Sequence, residues 1–407
     1  MFRAFVILIL GVGASLQSRA LDSADVLPAH VNSPQLKVGV ISGIGQRYTD
    51  SGSLMSLTDL NSMTFDSARL VQLEPRVQQL VNVLNQFGQQ NMGTALTLGT
   101  LHINTEPTIN YLAPVHAFGV TEKWTLAVGV PVLRYKNQIT LSQSGSNLDV
   151  IRDHAGGISP ELDSAFDELN VGLAASAQKM LATKGYKPLQ SRNDSFVGDV
   201  QLVNLYQLYN NKRTAILSKT TLNLPTGPSD DPDDLTDLAS FGYTAVEQTG
   251  LITYMVTPKF RLSGLATARY TFADKISKRV PTSADDGLPD SSTKEDVNRS
   301  TGTLAQLGVS SMFWFLNRWS AGAGLDIGAK AADQYSGSRG TRYDLLEANT
   351  NQTFARVRFG VTYDTISAYL AKKAFMPGMI SYTFSDTVRG LNIERQTVHE
   401  LWFTMFF

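Results

Sequence analysis

From Thr94 to Phe407, apolar side chains recur at every second position in segments of about ten to fifteen residues. Period two belongs to the β-strand, whose successive side chains leave opposite faces. Trp124, Leu126, Val128, Val130 and Val132 share one face, against Thr125, Ala127, Gly129 and Pro131. Trp319, Ala321, Ala323, Leu325 and Ile327 stand against Ser320, Gly322, Gly324, Asp326 and Gly328, and Ala355, Val357, Phe359, Val361 and Tyr363 against Arg356, Arg358, Gly360, Thr362 and Asp364. A soluble sandwich also alternates, but with shorter strands and larger residues on its core face. Here the face that carries charge also carries the glycines, as in a wall with lipid outside and a polar lumen inside.

The connections are asymmetric. Phe118-Gly-Val-Thr-Glu-Lys-Trp124, Tyr209-Asn-Asn-Lys-Arg213, Tyr254-Met-Val-Thr-Pro-Lys-Phe260 and Phe315-Leu-Asn-Arg-Trp319 each set aromatic or apolar residues beside a short polar turn with Lys or Arg. That is the pattern of an interfacial girdle followed by a tight hairpin. Between them lie the long polar stretches 137–195, 226–241, 274–300 and 332–349. Short turns at one end and long loops at the other mark outer-membrane barrels. Leu401, Phe403, Met405 and Phe407 share one face of the last segment, which resembles the C-terminal signal read by the outer-membrane assembly machinery. The glycine often found in that signal is absent, and Trp402 stands near its place.

Near the start, Arg3 precedes the apolar run Phe5–Leu10, and Ser18-Arg19-Ala20 places small residues where a signal peptidase reads. This predicts export with residues 1–20 removed. The run is too short to span a bilayer, and no later apolar stretch reaches helix-spanning length. The sequence has no cysteine, which excludes lipid attachment through cysteine, disulfides and thiolate metal sites. Charges nearly balance, with 35 Lys and Arg against 36 Asp and Glu, and no basic run points to nucleic acid.

The expected fold is an all-β, closed antiparallel barrel of about twelve strands spanning residues 94–407. The strands are expected near 96–105, 107–120, 123–136, 196–210, 212–225, 243–257, 259–273, 301–316, 318–331, 351–364, 376–386 and 396–407. Residues 21–93 are expected to stand apart as a plug or periplasmic segment. They hold a Gly- and Ser-rich extended part, Leu36 to Ser53, and a helix through Val77, Leu80, Val81, Leu84 and Phe87, opened by Pro75 and ended by Gly88. In the long loop 137–195, Ser159 and Pro160 open a helix and Gly185 ends it, with a stripe through Leu162, Phe166, Leu169, Leu173 and Met180. Such a stripe needs a surface to lie on, so this element is expected to pack on the barrel or to act as a lid.

The sequence does not read as an enzyme or as a holder of cofactor or metal. His30, His102, His116, His154 and His399 form no spaced ligand set, and His399 and Glu400, as strand neighbours, face opposite sides. Asp230-Asp-Pro-Asp-Asp234 with Asp237 forms an acidic loop able to meet Ca²⁺ or lipopolysaccharide, although a plain solvated loop explains it better. Arg261, Arg269, Asp326, Lys330, Arg356, Arg358 and Asp364 are expected to face the lumen, as bracing ion pairs or as the lining of a permeation path. Leu133, Val203, Leu205 and Leu265 are expected to face inward with them, which suits amphipathic or hydrophobic solutes.

Leu222-Asn-Leu-Pro-Thr-Gly227, followed by the acidic loop and a new Gly-Tyr strand, resembles the outer-membrane proteins of the meta-cleavage pathway of phenol degradation. The turn Gly119–Trp124, leading to Val128-Gly-Val-Pro131, is also similar. The likeness covers roughly residues 100–407 and carries no functional residue across. It implies uptake of hydrophobic small molecules, at a distance from the long-chain fatty-acid transporter barrels, whose inward plug the 21–93 segment would loosely match. The sequence thus supports a passive outer-membrane channel for small hydrophobic or amphipathic solutes. Expected partners are the bilayer, lipopolysaccharide, the assembly machinery and the solute. The alternative is a structural or surface-interaction barrel with a plugged lumen.

Overall fold

The computed structural model describes residues 21–60, 62–73, 77–87, 91–155, 160–169, 173–237 and 242–407. The expected signal segment 1–20, and Pro75, Gly88 and Ser159, lie outside the described residues. Twelve antiparallel strands close into one barrel. They are β1 Asn32–Ser42, β2 Thr97–Thr121, β3 Trp124–Gly129 continued by Val132–Ser144, and β4 Arg192–Val197 continued by Val200–Asn210. Then come β5 Thr214–Leu224, β6 Ala245–Thr257, β7 Phe260–Thr271, β8 Leu304–Leu316, β9 Trp319–Lys330, β10 Gln352–Asp364, β11 Gly378–Leu391 and β12 Thr397–Met405. β1 closes the wall, pairing with β12 on one side and β2 on the other.

The expected strand number holds, but two of its members are corrected. The first strand lies at 32–42, inside the segment expected to stand apart, so the barrel does not begin at 94. The two strands expected at 96–105 and 107–120 are one strand that runs through Pro107. β1 last pairs with β2 at Ile109, and the next strand on that side, Met63–Asp66, pairs with β2 only from Leu101 to Thr97, so Pro107 lies in a gap between two ladders. A residue without an N–H is tolerated in such a gap.

Outward side chains form the apolar band that lipid requires: Leu36, Val38 and Val40 on β1, Leu307, Val309 and Phe313 on β8, and Leu401, Phe403 and Met405 on β12 are exposed. Lys37, Gln201, Gln207, Lys219 and Thr249 are buried inside. Among the described helices none is long and apolar enough to cross a membrane, and the strands do the crossing. The tight turns all leave one end, and the chain termini meet there, where Asn32 and Phe407 exchange backbone hydrogen bonds at 2.9 Å. By the asymmetry of bacterial barrels that end faces the periplasm. The turn between β10 and β11 is longer and carries the helix Ile366–Leu370.

At the opposite end β2, β3 and β4 continue above the rim. The outward face of β2 is apolar or aromatic at Leu112 and Phe118, but reads His102, Asn104, Glu106, Thr108 and Asn110 farther out. On β3 it changes from Val132 to Arg134 and Lys136. The exterior therefore turns from lipid-facing to water-facing while the inner face stays apolar. This extension corrects the expected 137–195 loop, which shrinks to residues 145–191.

Two connections cover the inner face of the extension. Residues 43–96 form the first outer loop, a correction to the expected plug or periplasmic segment, and they include the helix Val77–Phe87. The 145–191 loop folds into helices Leu148–Ala155, Pro160–Leu169 and Leu173–Thr183, where a single helical stripe was expected. Gly185, at φ +76°, ends the last of them, as expected. Val77, Leu80, Leu84, Phe166, Leu173 and Leu181 join Leu98, Leu101 and Ile103 of β2 in one buried cluster, with Met180 packed against it. The side chains of Leu162 and Leu169 lie outside the described set.

This cap is tied to the far wall. Arg279, from the hairpin 274–279/294–300 beyond β7, lies 3.7 Å from the Tyr186 ring centroid and donates to the carbonyls of Lys184 and Gly185 at 2.6 Å. The acidic loop joins the same network. Asp231 pairs with Lys187 at 2.7 Å, Asp233 with Arg279 at 2.8 Å and Lys294 at 2.7 Å, and Asp234 with Arg192 at 2.9 Å; Lys278 meets Asp230. Rather than standing as a plain solvated loop or free to meet Ca²⁺, these carboxylates are occupied by the chain's own cations. No group of three or more metal-ligating side chains occurs among the described residues.

Candidate functional site: the barrel lumen

The inward face of β2 is apolar over most of its length. Leu101, Ile103, Ile109, Tyr111, Ala113, Val115 and Ala117 are all buried, interrupted by Thr105 and Pro107. Leu133 and Tyr135 of β3 pack with Ile41, Ile109 and Tyr111 at mid-height. Val203 and Leu205 of β4 pack with Val115, Ala117, Leu217 and Leu251 nearer the periplasmic end, with Leu265 at the edge of the group. Leu133, Val203 and Leu205, expected inside, are fully buried there.

The other wall is charged, and the segment 21–27 reaches across to it. The segment enters beside Gly119, which donates to Val31 O at 2.9 Å and accepts from His30 N–H at 2.7 Å. A Cβ at Gly119 would stand 1.9 Å from the Pro28 carbonyl oxygen, so only glycine admits the chain. Leu27 N–H then donates to Thr125 Oγ1 at 2.9 Å, and Gln207 Nε2 donates to Ala24 O at 2.9 Å. Arg261 Nη1 donates to Ser23 Oγ at 2.9 Å and Ser263 Oγ to Asp22 O at 2.9 Å. Arg358 grips the Asp22 carboxylate with both terminal nitrogens, at 3.1 and 2.6 Å. Ala24, Val26 and Leu27 pack against the apolar wall while Asp22 and Ser23 meet the charged one.

The seven expected lumen charges separate into levels. Arg261, Asp326, Arg356 and Arg358 gather around the segment's end. Asp326 faces Arg356 in register, yet it accepts instead from Arg358 Nη2 at 2.8 Å. Arg358 thus holds two carboxylates, whereas Arg356 Nε and Nη2 are enclosed with no hydrogen-bond partner. The Phe354 ring lies 5.4 Å from the Arg356 guanidinium. Lys330 sits at the outer rim, 2.6 Å from Asp333, and Arg269 at the same rim, 2.7 Å from the Tyr243 hydroxyl. Asp364 ends β10 at the periplasmic turn. These three are therefore not part of the mid-height cluster.

A second polar group, which the sequence reading missed, stitches the closure of the wall. Tyr111 OH donates to Glu400 Oε2 at 2.6 Å, and Lys37 Nζ lies 3.7 Å from the same oxygen and 4.1 Å from the Trp402 ring. Trp402 Nε1 donates to Gln35 Oε1 at 3.1 Å. Gly39 makes this possible, because a Cβ there would meet the Tyr111 ring at 2.3 Å. His399 points outward from the same strand to Tyr382 OH at 2.8 Å, on the face opposite Glu400. The Pro-Thr-Gly motif has a positional role: Asp199, at the kink of β4, accepts from Gly227 N–H at 2.9 Å and Gly242 N–H at 3.0 Å.

An outer-membrane channel from Pseudomonas putida F1 superimposes with TM-score 0.51 at 12% identity, covering 95% of this chain and all of that one. The chain has the fold of an outer-membrane channel. The Ralstonia pickettii toluene transporter TbuX (TM-score 0.38, 9% identity, 99% of this chain and 95% of that one) and the Pseudomonas putida toluene transporter TodX (0.34, 8%, 97% and 93%) are more remote. No family model and no curated protein sequence matches. The outer-membrane barrel fold and the expected resemblance to channel proteins therefore stand on structure alone.

Proposed function

We propose that this outer-membrane barrel passes small hydrophobic or amphipathic solutes by passive diffusion, and that it is a conduit rather than an enzyme. The observation that carries this reading is the apolar track down β2, β3 and β4, from the cap to the segment 21–27. A purely aqueous pore has no use for a wall of Ile109, Leu133, Tyr135, Val203 and Leu205, since buried apolar area attracts apolar solutes in proportion to its extent. Proteoliposomes bearing the protein are expected to admit an aromatic hydrocarbon faster than protein-free vesicles, with little gain for a sugar of similar mass. Equal rates with and without protein would overturn the proposal.

The second reading, a structural barrel with a plugged lumen, is favoured by the anchored segment 21–27. It predicts no solute entry through the intact protein and entry only after residues 21–27 are deleted, whereas the channel reading predicts entry with the segment in place. We also propose that Leu401, Phe403, Met405 and Phe407 form the assembly signal. Phe407→Ser is expected to lower the yield of heat-modifiable barrel in the outer membrane, and an unchanged yield would sink that assignment.

A further inference from the structure

Within that channel reading, we propose that Arg356 is the receptor for a carboxylate head group, so that the favoured solutes are apolar bodies bearing one carboxylate. Three observations converge on this residue. Arg356 Nε and Nη2, which form one edge of the guanidinium, are enclosed without a hydrogen-bond partner. That edge is the fork on which a carboxylate binds through two parallel hydrogen bonds. Asp326, which faces Arg356 across the ladder, is taken up by Arg358, and so is Asp22.

The surroundings suit an amphipathic acid. Thr387, the register partner of Arg356 on β11, is fully buried and its Oγ1 has no partner, so it supplies a further donor. The Phe354 ring, itself buried against Tyr48, Leu304 and Ile393, bounds the guanidinium on the outer side. Arg356 as a whole is only half-buried, so part of its side chain stays accessible from the lumen although the fork itself is enclosed. A buried cation without an acceptor is costly to keep, and such residues concentrate where a ligand completes them.

The test is binding to the full-length barrel in non-ionic detergent, with benzoate and benzamide as probes of matched shape and different charge. The wild-type protein is expected to bind benzoate at least tenfold more tightly than benzamide. Arg356→Gln should abolish that preference and leave benzamide binding unchanged, and Arg356→Lys should restore part of it. Because the fork has no hydrogen bond to lose, Arg356→Gln should keep heat-modifiable mobility and unfold at the same or a higher temperature. Equal binding of both probes by the wild type would overturn the role of Arg356 while leaving hydrocarbon passage standing. Loss of both probes in a folded Arg356→Gln variant would make Arg356 part of the wall and would also overturn it. Failure of the hydrocarbon entry experiment is a separate result, and it removes the channel reading itself.

Discussion

The wall formed by β2, β3 and β4 and the wall formed by β7 to β10 enclose the same lumen with opposite chemistry. The first is mainly apolar from the cap to the periplasmic end, with Tyr111, Thr125 and Gln207 as its hydrogen-bonding exceptions. The second holds Arg261, Arg356, Arg358 and Asp326, each of which must be satisfied by another group. The segment 21–27 follows the division, laying Ala24, Val26 and Leu27 on one wall and Asp22 and Ser23 on the other. The difference teaches that the lumen is amphipathic across its width rather than along its length. A solute with an apolar body and a polar end can touch both walls at once.

The charged wall can be broken first. Arg358→Ala leaves Asp22 and Asp326 enclosed without their cation, a change that costs about 3–5 kcal/mol for a buried pair. A marked fall in the thermal unfolding midpoint and new protease cleavage within 21–27 are expected; unchanged resistance at both would show that the segment is held by its apolar side. Next is Tyr111, a polar exception on the apolar wall. Tyr111→Phe removes a hydrogen bond to a carboxylate, worth about 1.5–3 kcal/mol. It should lower the midpoint without freeing the 21–27 segment.

Leu133→Asp puts a charge in the middle of the apolar track and should cut aromatic hydrocarbon entry about tenfold, equivalent to about 1.4 kcal/mol. Entry at the wild-type rate would move the route away from β3. The smallest effect is expected from acid. Burial alone would raise the Asp233 carboxyl, but hydrogen bonds from Lys294 and Arg279 outweigh it and hold its pKa below the ordinary carboxylate value. The depressed pKa stabilises the cap above that ordinary value, and the contribution disappears as pH falls through the lower, folded value. Limited proteolysis of 225–237 should therefore be slow at neutral pH and faster near pH 3, with the barrel intact at both.

Much of the wall was legible because alternation is a local property. Trp319 to Ala329 and Phe354 to Asp364 lie in strands, with their apolar faces outward. β1 was missed although Gln35, Lys37 and Gly39 alternate with Leu36, Val38 and Val40. Its partner on one side lies across an outer loop of residues 43–96, and its other partner is the last strand of the chain. Pro107 read as a boundary because proline normally ends a ladder, and only the gap in pairing between Ile109 and Leu101 shows why it does not. Arg356 and Arg358 are indistinguishable in sequence, two residues apart on one face. What separates them is Asp22, 336 residues from Arg358, and no local pattern carries that pairing.

The stitched seam has a kinetic meaning. Gln35 and Trp402 are separated by 367 residues, so the contact that closes the cylinder joins nearly the two ends of the polymer. Loops of such length close late, after shorter-range hairpins have formed. Until then β1 and β12 are free edges, open to other strands. Lys37, Glu400, Tyr111 and Trp402 come together only when both edges and β2 are in register. A slip of β1 by one residue would turn Lys37 toward lipid and leave Glu400 inside without its cation. The seam therefore proofreads its own closure: a misregistered barrel would carry one charge into hydrocarbon and strand the other inside, while the correct one is latched by the same two groups.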